Sequence, residues 1–270
     1  MIRFAPCKIN LGLHVISKRA DGYHNLETCF YPVPWYDIVE VIPSQRTQFT
    51  ISGSTIPGDA TANLCLRAYE LLQPVYTLPA VSIHLHKVIP TGAGLGGGSS
   101  DGAHVLRALN DLFELNLSQT ELCILAEKLG SDCPFFLFDE PMMGTGRGEI
   151  LRPAPISLTG YFLVVVKPPI HVSTAEAYRG IVPKMPAFSL REILAEPVTT
   201  WRQRLVNDFE HSVFSKYPEL EEIKNNLYDL GACYAAMSGS GSAVFGIFTT
   251  PVALHDQFNA ATFWAGELSS

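Results

Sequence analysis

Between residues 81 and 113 the chain changes period twice, and what lies between the changes restricts the fold more than anything else in its 270 residues. Val81, Ile83 and Leu85 alternate with Ser82, His84 and His86, the period of a strand with one buried face. From Asp101 onward Val105, Leu106, Leu109, Leu112 and Phe113 share one helical stripe. The connection runs from Ile89 through Pro90, Thr91, Gly92, Ala93, Gly94, Leu95, Gly96, Gly97, Gly98, Ser99 and Ser100. So many glycines let the main chain approach an anion closely, and the two hydroxyls stand at the entrance of a helix whose dipole favours negative charge. The segment reads as a phosphate cradle; a plain turn needs neither that glycine density nor two serines at a helix entrance.

Two familiar glycine sites fail on context. Gly92 to Gly97 satisfies G-x-G-x-x-G, but a dinucleotide site requires a β-α-β unit with an acidic residue ending the second strand. Here the first helix runs into another: Ser118 with Glu121 three residues on is a capping box, followed by Leu122, Leu125, Ala126 and Leu129 on one face. A P-loop fails because the residue after Gly97 is Gly98 and no G-x-x-x-x-G-K-[ST] exists.

Further strands are expected at Ile38–Ile42, Phe162–Val166 and Ala243–Phe248, and helices over 62–73 and 219–230. This is an α+β pattern without regular alternation. A hydrophobic fraction of 47% allows one large core or two smaller ones. The proline-rich Leu151–Ile156 stretch marks a division into lobes 1–152 and 153–270, although strands can cross between them. Ile181–Pro197 reads as an irregular insertion with a short helix. The net charge of -7 argues against general binding to nucleic acid or anionic membrane, which is held by excess Lys and Arg. The six scattered cysteines form no C-x-x-C pair and read as reduced, packed thiols. No run approaches the roughly 20 apolar residues that span a bilayer, and the N-terminus lacks a signal core, so a cytoplasmic protein is expected.

The 90–100 segment resembles the central nucleotide-phosphate motif of the GHMP kinases. Pro6-Cys-Lys-Ile-Asn-Leu-Gly-Leu-His14 with Arg19-Ala-Asp-Gly-Tyr-His24 is similar to the opening of the diphosphocytidyl-methylerythritol kinases in that superfamily. Leu129-Gly-Ser-Asp-Cys-Pro-Phe-Phe136 resembles their second catalytic block, and Met237-Ser-Gly-Ser-Gly-Ser-Ala243 their C-terminal glycine motif. The match spans nearly the whole chain. It departs at Cys7 and Gly102, where alanine is usual, and loses no polar group there. The resemblance implies a two-lobed fold, the N-terminal lobe ribosomal S5 domain 2-like and the C-terminal lobe ferredoxin-like, with the N-terminal lobe binding ATP.

It also implies transfer of a phosphoryl group from ATP, with Mg²⁺, to the 2-hydroxyl of 4-diphosphocytidyl-2-C-methyl-D-erythritol, in the non-mevalonate isoprenoid pathway. Lys8 would stabilise charge on the transferring group and Asp132 would orient the acceptor hydroxyl and take its proton, though the division between them stays open. Residues 90–100 would hold the triphosphate, Asn63 would border the adenine, and Ser100 would help hold Mg²⁺. Tyr23 and Tyr178 would pack on cytosine and His24 would read its edge. Asn10 and Thr174 would face the polyol or phosphates, and Gly239 and Gly241 would bring amides to the diphosphate. The implied partners are small molecules only, on a monomer or weak homodimer. Another GHMP kinase of homoserine or mevalonate type, and a catalytically silent nucleotide sensor, are the competing readings. His84 and His86 form two ligands without a third and read as surface histidines. Gly144–Gly148 reads as a turn.

Overall fold

The computed structural model describes residues 1–56, 62–254, 258 and 261–268. In chain order the strands and helices are β1 (Ile2–Lys18), β2 (His24–Pro43), β3 (Gln48–Gly53), α1 (Leu64–Tyr76), β4 (Val81–Lys87), α2 (Gly97–Leu112), α3 (Gln119–Leu129), β5 (Met142–Gly146), β6 (Ile150–Pro153) and β7 (Phe162–Lys167). They continue as α4 (Thr174–Arg179), α5 (Leu190–Leu194), α6 (Phe209–Lys216), α7 (Pro218–Asp229), β8 (Tyr234–Met237), β9 (Val244–Phe248) and β10 (Thr262–Glu267). The expected α+β class, the strands at 38–42, 81–86, 162–166 and 243–248, and the helices near 62–73, 101 onward, 118 and 219–230 are all present. Among the described residues no helix is long and apolar enough to cross a membrane.

The chain forms two compact units: 1–8, 34–91 and 96–139 in the first, and 9–33, 92–95 and 140–270 in the second. β1 and β2 pair with each other, and each runs through both units. Along β1, Ala5, Cys7, Ile9, Leu11, Leu13 and Val15 are buried at alternate positions, yet Lys8, Asn10 and His14 between them are buried as well. The strand therefore carries one apolar face and one enclosed polar face.

In the first unit, β3 runs parallel to β4 and β4 antiparallel to the Ile38–Pro43 half of β2. The parallel pair needs a crossover, which contains α1. α2 packs on α1, on α3 and on the 3₁₀ turn Cys133–Leu137. Ser118 and Glu121 close the expected capping box of α3. Gly102 is explained by α1: a side-chain carbon there would lie 2.9 Å from Leu64 Cβ, so the helices meet where alanine would not fit without a shift.

In the second unit, the antiparallel sheet has the order β10-β7-β9-β8. The Leu26–Phe30 part of β2 pairs with β5, and β5 turns into β6 at 147–149; the turn expected at Gly144–Gly148 thus starts later, because Gly144 and Gly146 are paired with β2 inside β5. Val164, Val166, Val244, Phe248 and Met237 of the sheet pack with Phe209, Val213, Leu220 and Leu227 of α6 and α7. Leu13, Val15 and Leu26 join this core from the N-terminal strands. The units do not follow the expected division at 152/153, because residues 9–33, 92–95 and 140–152 belong with the second. All six cysteines are free.

Candidate active site

In the first unit β1 presents Lys8 on its polar face, and the turn after α3 begins at Asp132. Lys8 Nζ lies 3.6 Å from Asp132 Oδ2; the lysine side chain is 4% exposed and the carboxylate 36%. The ammonium is thus withdrawn from water while its partner reaches the surface. Burial pushes the Lys8 pKa down, and the Asp132 charge and hydrogen bond partly offset that.

The glycine segment meets this pair at Gly96, which caps α2 in the left-handed region at φ 70°. A side chain at Gly96 would come within 2.7 Å of the Phe136 ring and 3.2 Å of Lys8 Cε. The opening amides of a 16-residue helix therefore start beside a buried ammonium, and those amides have no partner within the helix. Two independent sources of positive potential, helix end and lysine, converge on one spot that suits a phosphate.

The two serines divide differently from expectation. Ser100 is fully buried, its Oγ 3.4 Å from His104 Nδ1, which donates to the Ser100 carbonyl at 2.9 Å. Burial pushes the His104 pKa down to about 4. Ser100 therefore offers no open oxygen to Mg²⁺; Ser99 is only half-buried and hydrogen-bonds the Cys133 thiol. Pro90 and Thr91 are half-exposed and Gly98 exposed, while Gly97 packs against Lys87. Asn63 caps α1, accepting from Cys65 N at 2.9 Å, and remains half-buried.

The second unit gathers most of the other expected residues. A side-chain carbon on Gly94, at φ 75°, would lie 2.1 Å from the Ser238 carbonyl oxygen, so only glycine permits this approach. Ser238 Oγ donates to Gly94 O at 2.9 Å, and Ala243 N to Ala93 O at 2.9 Å. The short piece Gly92, Ala93, Gly94 and Leu95 is thereby zipped to the 238–243 segment that holds Gly239 and Gly241. Asn10 donates to Thr28 Oγ1 at 2.9 Å, and its Oδ1 stands 3.2 Å from where a Gly239 side chain would begin. Thr174 Oγ1 is 3.4 Å from Ser240 Oγ.

His24 and Tyr178 stack, with centroids 4.8 Å apart and planes 18° from parallel, and Phe209 meets Tyr178 edge-on. Burial, with Lys18 nearby, pushes the His24 pKa down, favouring a neutral imidazole that can both donate and accept. Tyr23 is 57% exposed, with Arg147 5.2 Å over its ring.

Two supporting residues carry no motif in the sequence. Asn207 is buried and donates to Met237 O and Gly239 O, both at 2.8 Å, and Glu210 accepts from Met237 N at 2.8 Å. They hold the backbone of the C-terminal glycine motif. His84 and His86 bond Thr50 and Ser52 on β3, and among the described residues no group of three His, Cys, Asp or Glu could hold a metal.

The chain is similar to known proteins in both sequence and fold. The family model for the GHMP kinases N terminal domain matches residues 63–140, and that for the GHMP kinases C terminal region matches 190–262. A 4-diphosphocytidyl-2-C-methyl-D-erythritol kinase of Cytophaga hutchinsonii is 51% identical over 95% of this chain and 96% of its own length. The protein so named in Parabacteroides distasonis is 48% identical, with both chains covered completely. Among solved structures, a crystal structure of 4-(cytidine 5'-diphospho)-2C-methyl-D-erythritol kinase matches with a TM-score of 0.83 and 35% identity, covering 100% of both chains.

Proposed function

The chain belongs to the 4-diphosphocytidyl-2-C-methyl-D-erythritol kinases of the GHMP kinase family, and from that membership we propose that it phosphorylates the 2-hydroxyl of 4-diphosphocytidyl-2-C-methyl-D-erythritol, giving the 2-phosphate and ADP for isoprenoid synthesis. The observation that carries this reading is the Lys8–Asp132 pair beside the opening amides of α2. Folded protein given ATP, Mg²⁺ and that substrate should release ADP in a coupled assay; no turnover would remove the reading.

Phosphoryl transfer through a loose transition state asks for in-line positioning and charge neutralisation rather than a strong base. In this mechanism the α2 amides and Ser99 hold triphosphate oxygens. Lys8 places a fixed cation, already stripped of water, where negative charge spreads, so little reorganisation is needed during the reaction. Asp132, partly open to solvent, accepts the hydroxyl proton as the new P–O bond forms and the bond to ADP breaks. A carboxylate is a weak base, so its contribution is position and timing.

Mg²⁺ supplies charge neutralisation on the phosphate oxygens when bound. With no ligand cluster among the described residues, the ion fits as one delivered on the triphosphate, a mode Mg²⁺ favours because it keeps several waters. Ser99, half-buried at the start of α2, would be the hydroxyl that steadies it.

The lowered Lys8 pKa has a direct consequence. The ammonium is the active form, so kcat at saturating substrates should fall as pH rises through a value below the ordinary lysine range. A kcat profile flat up to that ordinary range would contradict the role of Lys8.

Recognition of the cytidylyl group falls to the His24–Tyr178 stack, with Tyr23 supplying a further ring; Asn10, Thr174, Gly239 and Gly241 serve the polyol and diphosphate. Tyr178→Ala is expected to raise KM for the cytidylyl substrate about tenfold or more, the scale of one lost base–aromatic stack, while KM for ATP stays within about twofold. Steady-state kinetics with each substrate varied decide it. A homoserine- or mevalonate-type kinase has no use for such a stack, and a substrate panel separates these readings. A cytoplasmic location, with no membrane or nucleic-acid partner and a monomeric or weakly dimeric state, completes the proposal.

A further inference from the structure

β2 buries every second residue from Val33 to Val41, and one member of that buried register is Asp37, a carboxylate with 0% exposure. Facing it are Lys87, the last residue of β4, and Asp101, in the second turn of α2, both buried too. Lys87 Nζ pairs with Asp37 Oδ2 and, at 2.7 Å, with Asp101 Oδ2. Asp37 Oδ1 accepts from the amides of Val88 at 2.6 Å and Ile89 at 2.8 Å. Gly97 completes the packing: a side-chain carbon there would stand 3.0 Å from Lys87 Nζ.

A fold that needed only stability would fill this volume with apolar side chains, since a buried ion cluster stabilises less than well-packed hydrophobic residues. This cluster is also incomplete, because Asp101 Oδ1 is buried without a hydrogen-bond partner. Burial pushes the Asp101 carboxyl well above its usual range, against the pull of Lys87, and Asp37 adds to the rise. What the three groups do have in common is location. They seize the chain at 87–89, where it leaves β4, and at 101, just after it enters α2, which are the two ends of the glycine segment. Glycines give that segment close approach to an anion and leave it with little stiffness of its own. Fixing the ends supplies the stiffness.

Given the kinase reading above, we propose that Asp37, Lys87 and Asp101 are positioning residues for the nucleotide: they lock the exit of β4 to the entrance of α2, so that the amides following Gly96 are in place before the triphosphate arrives. The cluster touches no reacting atom in this scheme, and its effect is read through ATP alone.

The test replaces the helix-side anchor. Asp101→Leu leaves Lys87 and Asp37 as a neutral pair and removes an unpartnered buried oxygen, so it should fold; Asp101→Ala reads the same loss without the bulk. Asp101→Asn keeps an acceptor for the Lys87 ammonium. The leucine or alanine variant is expected to raise KM for ATP about tenfold, the scale of a small displacement of positioning groups, with KM for the cytidylyl substrate within about twofold and Asp101→Asn within about threefold of the unaltered enzyme for both. A folded Asp101→Ala enzyme with unchanged KM for ATP, or equal rises in both KM values, would overturn the proposal. An unaltered enzyme that releases no ADP would instead overturn the kinase reading, so the two failures are distinct.

Discussion

Asp132→Asn is expected to lower kcat by about 10³-fold, in the range of a lost general base, while KM for ATP changes by no more than about twofold. The amide keeps the size and shape of the carboxylate, and Asp132 is 36% exposed at the start of a turn, so the fold should be unaffected. What disappears is the proton acceptor for the substrate hydroxyl. The triphosphate is gripped by the start of α2, which Asp132 does not build, and ground-state binding of ATP should therefore survive. A second consequence follows from the burial of Lys8, whose ammonium is held protonated in part by the Asp132 charge. The residual activity of the variant should accordingly fade at lower pH than that of the unaltered enzyme. A variant that keeps more than about one tenth of kcat would remove Asp132 from proton transfer, since general bases contribute at least about 10²-fold.

How far such roles can be read before folding depends on whether the relevant interaction is local. The glycine segment, the α2 stripe and the Ser118 capping box are local patterns, and each appears in the structure where the spacing puts it. Of the long strands β1 and β2 only the Ile38–Ile42 end is expected from the sequence; from Ala5 to Val15 the polar residues Lys8, Asn10 and His14 stand between apolar ones, and only the fold shows that both faces are enclosed. In β2, Pro32 and Pro34 argue against a strand because each lacks a donor. They fall between the stretch that pairs with β5 and the stretch that pairs with β4, so neither of those two ladders needs the donors they lack.

The misjudged serine has a helical explanation. Gly97, Ser100, Asp101 and His104 lie three and four residues apart and share the buried side of α2, which leaves Ser99 and Gly98 toward the open side. The stripe alone points the other way, since Val105, Leu106 and Leu109 project back seven residues onto Gly98, Ser99 and Gly102; α2 is enclosed on a second side as well, which only the tertiary packing reveals. Asn207 and Glu210 were not available in any form, because their task is to satisfy backbone groups of 237–239 that only the tertiary fold brings near. Asp37 is intermediate: a charge in the buried register of an otherwise apolar alternation from Val33 to Val41 is visible in the sequence, but its partners on β4 and α2 are not.

The division of labour between Lys8 and Asp132 is resolved by removing the lysine and then both. Lys8→Met should lower kcat by about 10²- to 10³-fold, the scale of one lost preorganised charge in a water-poor site. Methionine has a similar reach and suits a slot that is only 4% exposed, so stability should hold or rise once the desolvated ammonium is gone. Lys8→Arg is not expected to rescue, because the guanidinium fork is broader than an ammonium and the space beside it is bounded by Gly96 and Phe136. If the two residues act as one unit on the same transition state, Lys8→Met with Asp132→Asn should lose about as much as the worse single change, because a proton acceptor helps little when the transferring charge is unsupported. If the double loss equals the product of the single losses, the lysine serves the phosphate and the aspartate serves the hydroxyl independently. A Lys8→Met enzyme whose only defect is a raised KM for ATP would show that the ammonium merely binds nucleotide, and the transition-state role assigned to it would be withdrawn.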